Sequence, residues 1–317
     1  MGPLKPEFQA FVDQAKAAGM PPNFVELGAQ GARDAAKAMG SALGSGGAPM
    51  QREERLTIPG PVGEIPARLF VPGGDLLALV VFYHGGGWVL NDLDGYDAMC
   101  RDLAQGSNCA VLSVDYRVAP EHPFPAPVED CYAAFLWADQ NCVTLLGRKL
   151  PLVLAGDSAG GNLTAVVALA ARDRKGPPVA LQVMIYPITD CDLARPSYVE
   201  NADNALMSSD MMFWFWDQYA PDLAQRANPL ISPMRAADLS GLPPALVEVA
   251  SHDPLRDEGL AYGEKLKSAG VQATVRTWDG AFHGFLQMGS LLPASAEALA
   301  VIAEDIRQQL SGQPHAA

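Results

Sequence analysis

Basic residues are scarce in this chain of 317 residues: 22 Lys and Arg stand against 36 Asp and Glu, a formal net charge of −14. Such a field repels phosphate backbones and anionic lipid surfaces, and no local basic run works against it, so nucleic acid is excluded as a partner. Cysteine is also sparse. The five present (Cys100, Cys109, Cys131, Cys142, Cys191) are odd in number and never spaced C-x-x-C, which argues against a disulfide framework and against a zinc site. No apolar stretch approaches the roughly 20 residues of a membrane span. The start, Met1 to Glu7, lacks the apolar core of a signal peptide, and Pro6 stands where a myristoylation motif wants Ser or Thr. A cytoplasmic protein with reduced thiols is the expectation. No Gly-rich turn is followed by Lys-Ser/Thr or spaced G-x-G-x-x-G, so no nucleotide, other cofactor or metal is expected.

Apolar residues make up 49% and charged residues 18%, enough to form a packed core rather than a disordered chain. Phe8, Phe11, Val12 and Ala15 fall at helical spacing, and residues 6 to 42 read as two helices broken at Gly19-Met20-Pro21-Pro22. Gly44-Ser45-Gly46-Gly47 reads as a linker. Alternation in Arg52 to Ile58 and in Glu64 to Val71 predicts an antiparallel pair. Beyond Val71 the pattern changes to continuous apolar runs alternating with amphipathic segments. Strands are expected at Ala78 to Tyr83, Ala110 to Val114, Pro151 to Ala155, Ala180 to Tyr186, Pro244 to Ala250 and Val271 to Trp278. Helices are expected at Tyr96 to Gln105, Ala126 to Gln140, Asn162 to Arg172, Leu255 to Ala269 and Ala294 to Leu310. Strands apolar on both faces, alternating with helices, indicate an α/β fold with a mostly parallel sheet between helical layers. A segment rich in aromatics and Met interrupts the alternation from Asp190 to Met234.

In an open α/β sheet, ligands collect beyond the carboxyl ends of the strands, and four loops there carry reactive chemistry. Gly156-Asp157-Ser158-Ala159-Gly160-Gly161 joins a buried-strand pattern to a helical one. A serine on so tight a turn is strained and exposed, and only small residues two positions either side let strand and helix pass. His84-Gly85-Gly86-Gly87-Trp88 follows another strand, and its glycines can turn backbone N–H groups toward one oxyanion, with the Ala159 N–H facing the same point. Asp253 follows a third strand, where it also suits a helix N-cap before Pro254; Asp257 is its rival as the acid. His283 follows the fourth. His84 and His122 precede the serine, His252 points away from its neighbour Asp253, and His315 lies in the tail, so His283 is the expected base. The order Ser158, Asp253, His283 is that of an α/β-hydrolase triad.

Five motifs carry a closer resemblance. They are His84-Gly85-Gly86-Gly87-Trp88, Asp115-Tyr116-Arg117-Val118-Ala119-Pro120-Glu121, Gly156 to Gly161, Asp253-Pro254-Leu255-Arg256-Asp257-Glu258-Gly259 and His283-Gly284-Phe285. Over nearly its whole length the chain resembles the hormone-sensitive-lipase-like family of α/β-hydrolase esterases, whose bacterial members are often called family IV. Val118 stands where the family has Leu. The resemblance implies an eight-stranded, mostly parallel sheet with helices on both faces and a helical cap. It implies cap helices at 1–45, a catalytic domain at 46–189 and 235–311, a cap insertion at 190–234, and a mobile tail at 312–317. It implies the triad Ser158, Asp253 and His283, with oxyanion donors among Gly85, Gly86, Gly87 and Ala159.

The resemblance further implies a carboxylesterase for short- to medium-chain esters, acting through a serine acyl-enzyme. Other acyl transfer, amide or lactone hydrolysis on the same triad, and a non-catalytic small-molecule receptor of the same fold, are the alternatives. The run Met211 to Trp216 is apolar all round and reads equally as a docked helix and as the wall of an acyl pocket. Met207, Met211, Phe215, Phe24, Val25 and Trp88 are the pocket candidates, each equally readable as packing. A homodimer paired through the edge strand Val271 to Trp278 is a further expectation of the resemblance.

Overall fold

Alternation of buried strands with amphipathic helices builds one eight-stranded sheet, in the order β1-β2-β4-β3-β5-β6-β7-β8. The computed structural model describes residues 2–19, 24–43, 45–204 and 206–311; the expected tail at 312–317 and the break at 20–22 lie outside the described residues. Strands β1 (Arg52–Gly60) and β2 (Gly63–Val71) form the expected antiparallel pair, and β2 joins β4 (Ala110–Val114) antiparallel. From there β3 (Leu79–Tyr83), β5 (Leu152–Asp157), β6 (Leu181–Ile185), β7 (Ala245–His252) and β8 (Ala273–Phe282) continue in parallel.

The two faces of the sheet bury separate apolar clusters, because successive side chains of a strand point to opposite sides. Leu79, Val81 and Tyr83 face one cluster, with α4 (Ala126–Leu146), α5 (Ala159–Asp173) and α8 (Arg256–Ser268) over them. Val80 and Phe82 face the other, under α3 (Asp97–Ser107) and α9 (Pro293–Ser311). Every residue of β3 and β4 is buried, which is why their sequences show no polar alternation.

Helix α1 (Pro6–Ala17) and helix α2 (Phe24–Leu43) take different partners, although the sequence groups them. Phe8 of α1 packs edge-on against Phe282 and Phe285, with centroids 5.2 and 5.7 Å away, and Lys5 donates its N–H to the Gly280 carbonyl. Helix α2 lies over the strand ends. Arg33 fastens it there: Nε donates to the Val89 carbonyl at 2.8 Å, Nη2 to that of Ala119 at 2.6 Å, and the guanidinium pairs with Glu121. That pairing holds the Glu121 carboxyl low, at about 2. Between 190 and 234 come α6 (Pro196–Glu200) and α7 (Ser209–Tyr219), and α7 packs against α2.

Several boundaries differ from expectation, the longest shift being α4, which runs on from Gln140 to Leu146. Gly160 and Gly161 are weak helix formers, yet α5 already begins at Ala159. Asp279-Gly280 reads as a turn, but β8 passes through it to Phe282 with a register irregularity opposite Ala250 and His252. The expected linker is not loose at Gly47, whose Cα presses on Ala98 closely enough that a Cβ would sit 2.8 Å from the Ala98 Cα.

The tightest crossing is at the elbow. A Cβ on Gly160 would fall inside the Tyr83 carbonyl oxygen, and one on Gly156 would sit 2.6 Å from the same atom. Gly160→Ala is expected to cost about 3 kcal/mol or more, since backbone and not a mobile side chain must move. Gly73→Ala, with open space around it, is expected to stay within about 0.5 kcal/mol. Urea denaturation midpoints of the two variants check the contrast.

Candidate active site

Strand β5 ends at Asp157 and α5 starts at Ala159, leaving Ser158 alone to turn the chain at φ 56°, ψ −117°. A non-glycine residue held there stores roughly 1–3 kcal/mol of strain. Its own backbone is pinned, with the N–H donating to the Ile185 carbonyl at 2.8 Å and the carbonyl accepting from Asn162. The side chain is thus aimed at a fixed point. Ser158 Oγ lies 2.9 Å from His283 Nε2, and His283 Nδ1 lies 2.7 Å from Asp253 Oδ2. A carboxylate only accepts, so Nδ1 must carry the ring proton and Nε2 is left as a lone pair for the Ser158 hydroxyl.

Asp253 divides its two oxygens between two tasks. Oδ2 faces His283, while Oδ1 accepts the Leu255 N–H at 2.8 Å, ordering the entry into α8. The rival, Asp257, is turned elsewhere: Oδ2 accepts the Ser197 N–H and Oδ1 meets Arg256. His252 is also outside the chain of hydrogen bonds, its Nδ1 3.0 Å from Ser251 Oγ.

The glycine loop is organised peptide by peptide. The Gly85 carbonyl is held by His84 Nδ1 at 2.8 Å and by Asn91 Nδ2 at 3.2 Å. Because a trans peptide sets C=O and N–H in opposite directions, anchoring that carbonyl aims the Gly86 N–H the other way. The Gly86 carbonyl accepts from Val89 and Leu90, at 3.0 and 2.8 Å, and this fixes the Gly87 N–H in the same manner. Gly86 and Gly87 have φ of 114° and 59°, the left-handed region that glycine tolerates. Ala159 opens α5, so its N–H belongs to the unpaired first turn of a helix.

Gly85 departs from the expectation. Its N–H is already taken, by Asp157 Oδ1 at 2.8 Å and the Tyr96 hydroxyl at 2.9 Å, so it has no donor left for an oxyanion. Trp88 is a second correction. It is fully buried away from the cavity, stacked on Tyr219 with centroids 4.1 Å apart, because its φ of 59° turns the ring toward the core. Val25 is exposed and likewise lies off the cavity.

Ser158 and His283 open into a cavity of about 150 Å³. Phe24, Met207, Met211 and Phe215 all line it, so four of the pocket candidates are brought together. Phe215 lies against Gly87, where any Cβ would collide with its ring. Sequence reasoning passed over Ala36 and Met39 of α2, and Tyr96, Gln287 and Met288. The helical spacing of Ala36 and Met39 signals only that α2 has an apolar face; Gln287 carries no local signal. Among the described residues no group of three or more His, Cys, Asp or Glu is placed to hold a metal.

Glu258 is a further residue without an obvious role in the sequence. Fully buried on α8, it accepts the N–H groups of Thr189 and Asp190, at 2.6 and 3.2 Å, and the Tyr198 hydroxyl at 3.1 Å. It thereby ties the helix that follows Asp253 to the segment after β6.

An alpha/beta hydrolase fold family model matches residues 80–287. The carboxylic ester hydrolase LipN of Mycobacterium tuberculosis is 46% identical over 264 residues, covering 81% of this chain and 70% of LipN. An ethyl acetate hydrolase of Pseudomonas putida is 37% identical over 252 residues, covering 78% and 79% of the two chains. The crystal structure of a hyperthermophilic esterase from Pyrobaculum calidifontis superposes with a TM-score of 0.89 at 40% identity, covering 97% of this chain and 99% of the esterase.

Burial pushes the Glu258 carboxyl from 4.5 up to about 8. Across that window the folded state keeps a proton that the unfolded state has lost, so stability falls as pH rises. The expected outcome is a urea midpoint that declines from pH 5 to pH 8 in the wild type and declines less in Glu258→Gln, whose amide cannot ionise. With a serine, a histidine and an aspartate joined across three strand ends of one such sheet, and these relatives around it, the chain belongs to the alpha/beta hydrolase fold family.

Proposed function

We propose that the protein is a carboxylesterase that cleaves small, apolar esters through an acyl-enzyme on Ser158. The observation that carries this reading is the unbroken hydrogen-bonded chain Asp253–His283–Ser158 at the floor of an apolar cavity. A serine hydroxyl is a weak nucleophile at neutral pH, so the base must take its proton as attack proceeds. Ser158 Oγ adds to the ester carbonyl carbon while its proton passes to His283 Nε2. Negative charge then develops on the former carbonyl oxygen, and the N–H groups of Gly86, Gly87 and Ala159 receive it. Each such donor is worth roughly 3–4 kcal/mol in the transition state, because it is oriented before charge forms. His283 returns the proton to the leaving alkoxide, and the alcohol departs. Water repeats the sequence on the acyl-enzyme, releasing the acid and restoring Ser158.

The cap division also belongs to this reading: α2 and the 190–234 segment form the lid over the acyl site, while 46–189 and 235–311 form the catalytic body. The cavity supports short acyl groups, since about 150 Å³ is room for a group roughly the size of a benzene ring. Met207 and Met211 add flexible walls that admit more than one acyl shape. The ethyl acetate hydrolase among the relatives is consistent with such a small ester. A cytosolic setting fits the five cysteines, all unpaired.

A homodimer through β8 completes the proposal. That strand is the sheet's edge, and no strand pairs with its outer side among the described residues. Lys5 takes the Gly280 carbonyl near the end of the strand, so the pairing is proposed for the part up to Trp278, since an edge strand is a template for a second copy. Light scattering of the purified protein is expected to give twice the chain mass of 33.6 kDa; a monomer mass at micromolar concentration contradicts the pairing.

The catalytic reading is tested with an activated acetate ester in a stopped-flow instrument. The wild type is expected to release one equivalent of leaving group in a burst, and Ser158→Ala to lose the burst and at least about ten-thousandfold in kcat. Asp253→Asn is expected to lose about as much activity while keeping its urea midpoint, since its amide oxygen can still accept the Leu255 N–H. Full turnover in Ser158→Ala would sink the assignment. In a series from acetyl to decanoyl esters, kcat/KM is expected to fall beyond about six acyl carbons.

A further inference from the structure

Asp157, the residue before the nucleophile, takes no part in the triad, yet its carboxyl is fully buried a few ångströms from the chemistry. Its environment is unusual in having donors on every side. Oδ1 accepts the Gly85 N–H at 2.8 Å; Oδ2 accepts the Tyr96 hydroxyl at 3.0 Å and Gln287 Nε2 at 2.9 Å. These three donors come from beyond the ends of two strands, β3 and β8. Gly85 starts the oxyanion loop after β3, Tyr96 closes the 3-10 turn Asp94–Tyr96 before α3, and Gln287 lies four residues after His283. Gln287 Nε2 also donates to the Tyr96 hydroxyl, and the Gly85 N–H is shared with that same oxygen at 2.9 Å. No Lys or Arg joins the cluster among its described hydrogen bonds and ion pairs.

Packing shows that the arrangement is tight as well as bonded. A Cβ at Gly85 would sit 2.7 Å from Asp157 Oδ2 and 2.9 Å from the Tyr96 hydroxyl, so the glycine backbone rests directly on the carboxyl. The peptides on either side of Gly86 are fixed by their carbonyls, as described above. The peptide joining His84 to Gly85 is held on both sides: its carbonyl accepts the Tyr116 hydroxyl at 2.7 Å, and its N–H is the one that Asp157 holds. Asp157 thus fixes the N–H side of the first peptide of the loop, as the carbonyls of Gly85 and Gly86 fix the next two.

We propose that Asp157 is a positioning residue for the reaction: with Tyr96 and Gln287 as its partners, it locks the oxyanion loop to the nucleophile elbow and to the segment bearing His283. The assignment rests on the reading of Ser158 as nucleophile and of Gly86, Gly87 and Ala159 as oxyanion donors. Its consequence is that the three reacting elements cannot drift independently. A loop left free to tilt by 1 Å would lose the transition-state hydrogen bonds, which are short and directional, before it lost the looser contacts of the bound ester. Burial pushes the Asp157 carboxyl above its ordinary range, while the hydrogen bonds from Gln287, Tyr96 and Gly85 pull in the opposite direction. The donors therefore offset part of what burial costs the carboxylate.

The experiment uses the full-length protein in three forms: wild type, Asp157→Asn and Tyr96→Phe. For each, kcat and KM are measured with p-nitrophenyl acetate, binding of a short alkyl trifluoromethyl ketone is titrated, and the urea midpoint is recorded. The ketone forms a reversible hemiketal with the nucleophile, so its affinity reads the oxyanion site directly. A positioning role predicts a fall in kcat of about ten- to a hundredfold with KM within threefold. It also predicts a matching fall in ketone affinity, in folded protein. Tyr96→Phe removes one hydroxyl only, so it decides the matter if Asp157→Asn does not fold. Unchanged kcat and ketone affinity in a folded variant would overturn the assignment, as would losses accounted for by the unfolded fraction. A wild type that neither turns over nor binds the ketone would overturn instead the acyl-enzyme reading beneath it.

Discussion

The close crossing of β5 and α5 over the end of β3 is the constraint on which the rest of the structure depends. Gly156 and Gly160 leave no room for a Cβ against the Tyr83 carbonyl. That contact forces Ser158 into a conformation few non-glycine residues adopt. The strain has a use. A relaxed serine would fold its side chain back against the strand or helix, whereas this one projects Oγ beyond the sheet, within 2.9 Å of His283. The same crossing sets the Ala159 N–H, at the start of α5, beside the glycine loop that leaves β3. The proposed nucleophile and the proposed oxyanion donors are therefore two results of one packing contact, and the helix and strand that meet there are buried throughout their shared length.

Around this point the site is held mainly by backbone. Carbonyls of Gly85 and Gly86 are fastened so that their peptide partners face inward. Arg33 ties α2 to carbonyls of the strand-end loops, not to side chains alone. Such anchors tolerate substitution at the residues whose carbonyls they use, and they hold α2 over the cavity. The Tyr-Arg-Val-Ala-Pro-Glu segment finds its meaning here: Arg117 forms a two-pronged pair with Asp130 at 2.8 and 2.7 Å, and Glu121 receives Arg33. Both ends of the segment are thus clamped, one to α4 and one to α2.

Much of this was legible in the sequence, for physical reasons that can be named. Central parallel strands buried on both faces leave continuous apolar runs, and the antiparallel pair at the edge leaves alternation, so all eight strands were found. A nucleophile that needs small flanking residues leaves a motif, and a chain with five histidines leaves few choices of base. The misreadings share a cause. Gly85 looks like its two neighbours, and only the placement of Asp157 and Tyr96 shows that its N–H is spoken for. Trp88 follows the loop in sequence, but a positive φ sends its ring toward Tyr219 and the core. Gln287 and Glu258 act through partners far away in the chain, and nothing local marks them. Strand β8 outran its expected end because a Gly at positive φ signals a turn in isolation, whereas pairing with β7 carries it through.

In the proposed mechanism three backbone N–H groups and one serine converge on a single tetrahedral centre. The most direct measurement is a crystal structure of the protein after reaction with a short-chain alkyl phosphonate ester, whose phosphorus mimics that centre. A covalent bond from Ser158 Oγ to phosphorus is expected, with the phosphoryl oxygen about 2.7–3.1 Å from the amide nitrogens of Gly86, Gly87 and Ala159. An adduct on another residue, or a phosphoryl oxygen turned away from those amides in a Ser158 adduct, would contradict it.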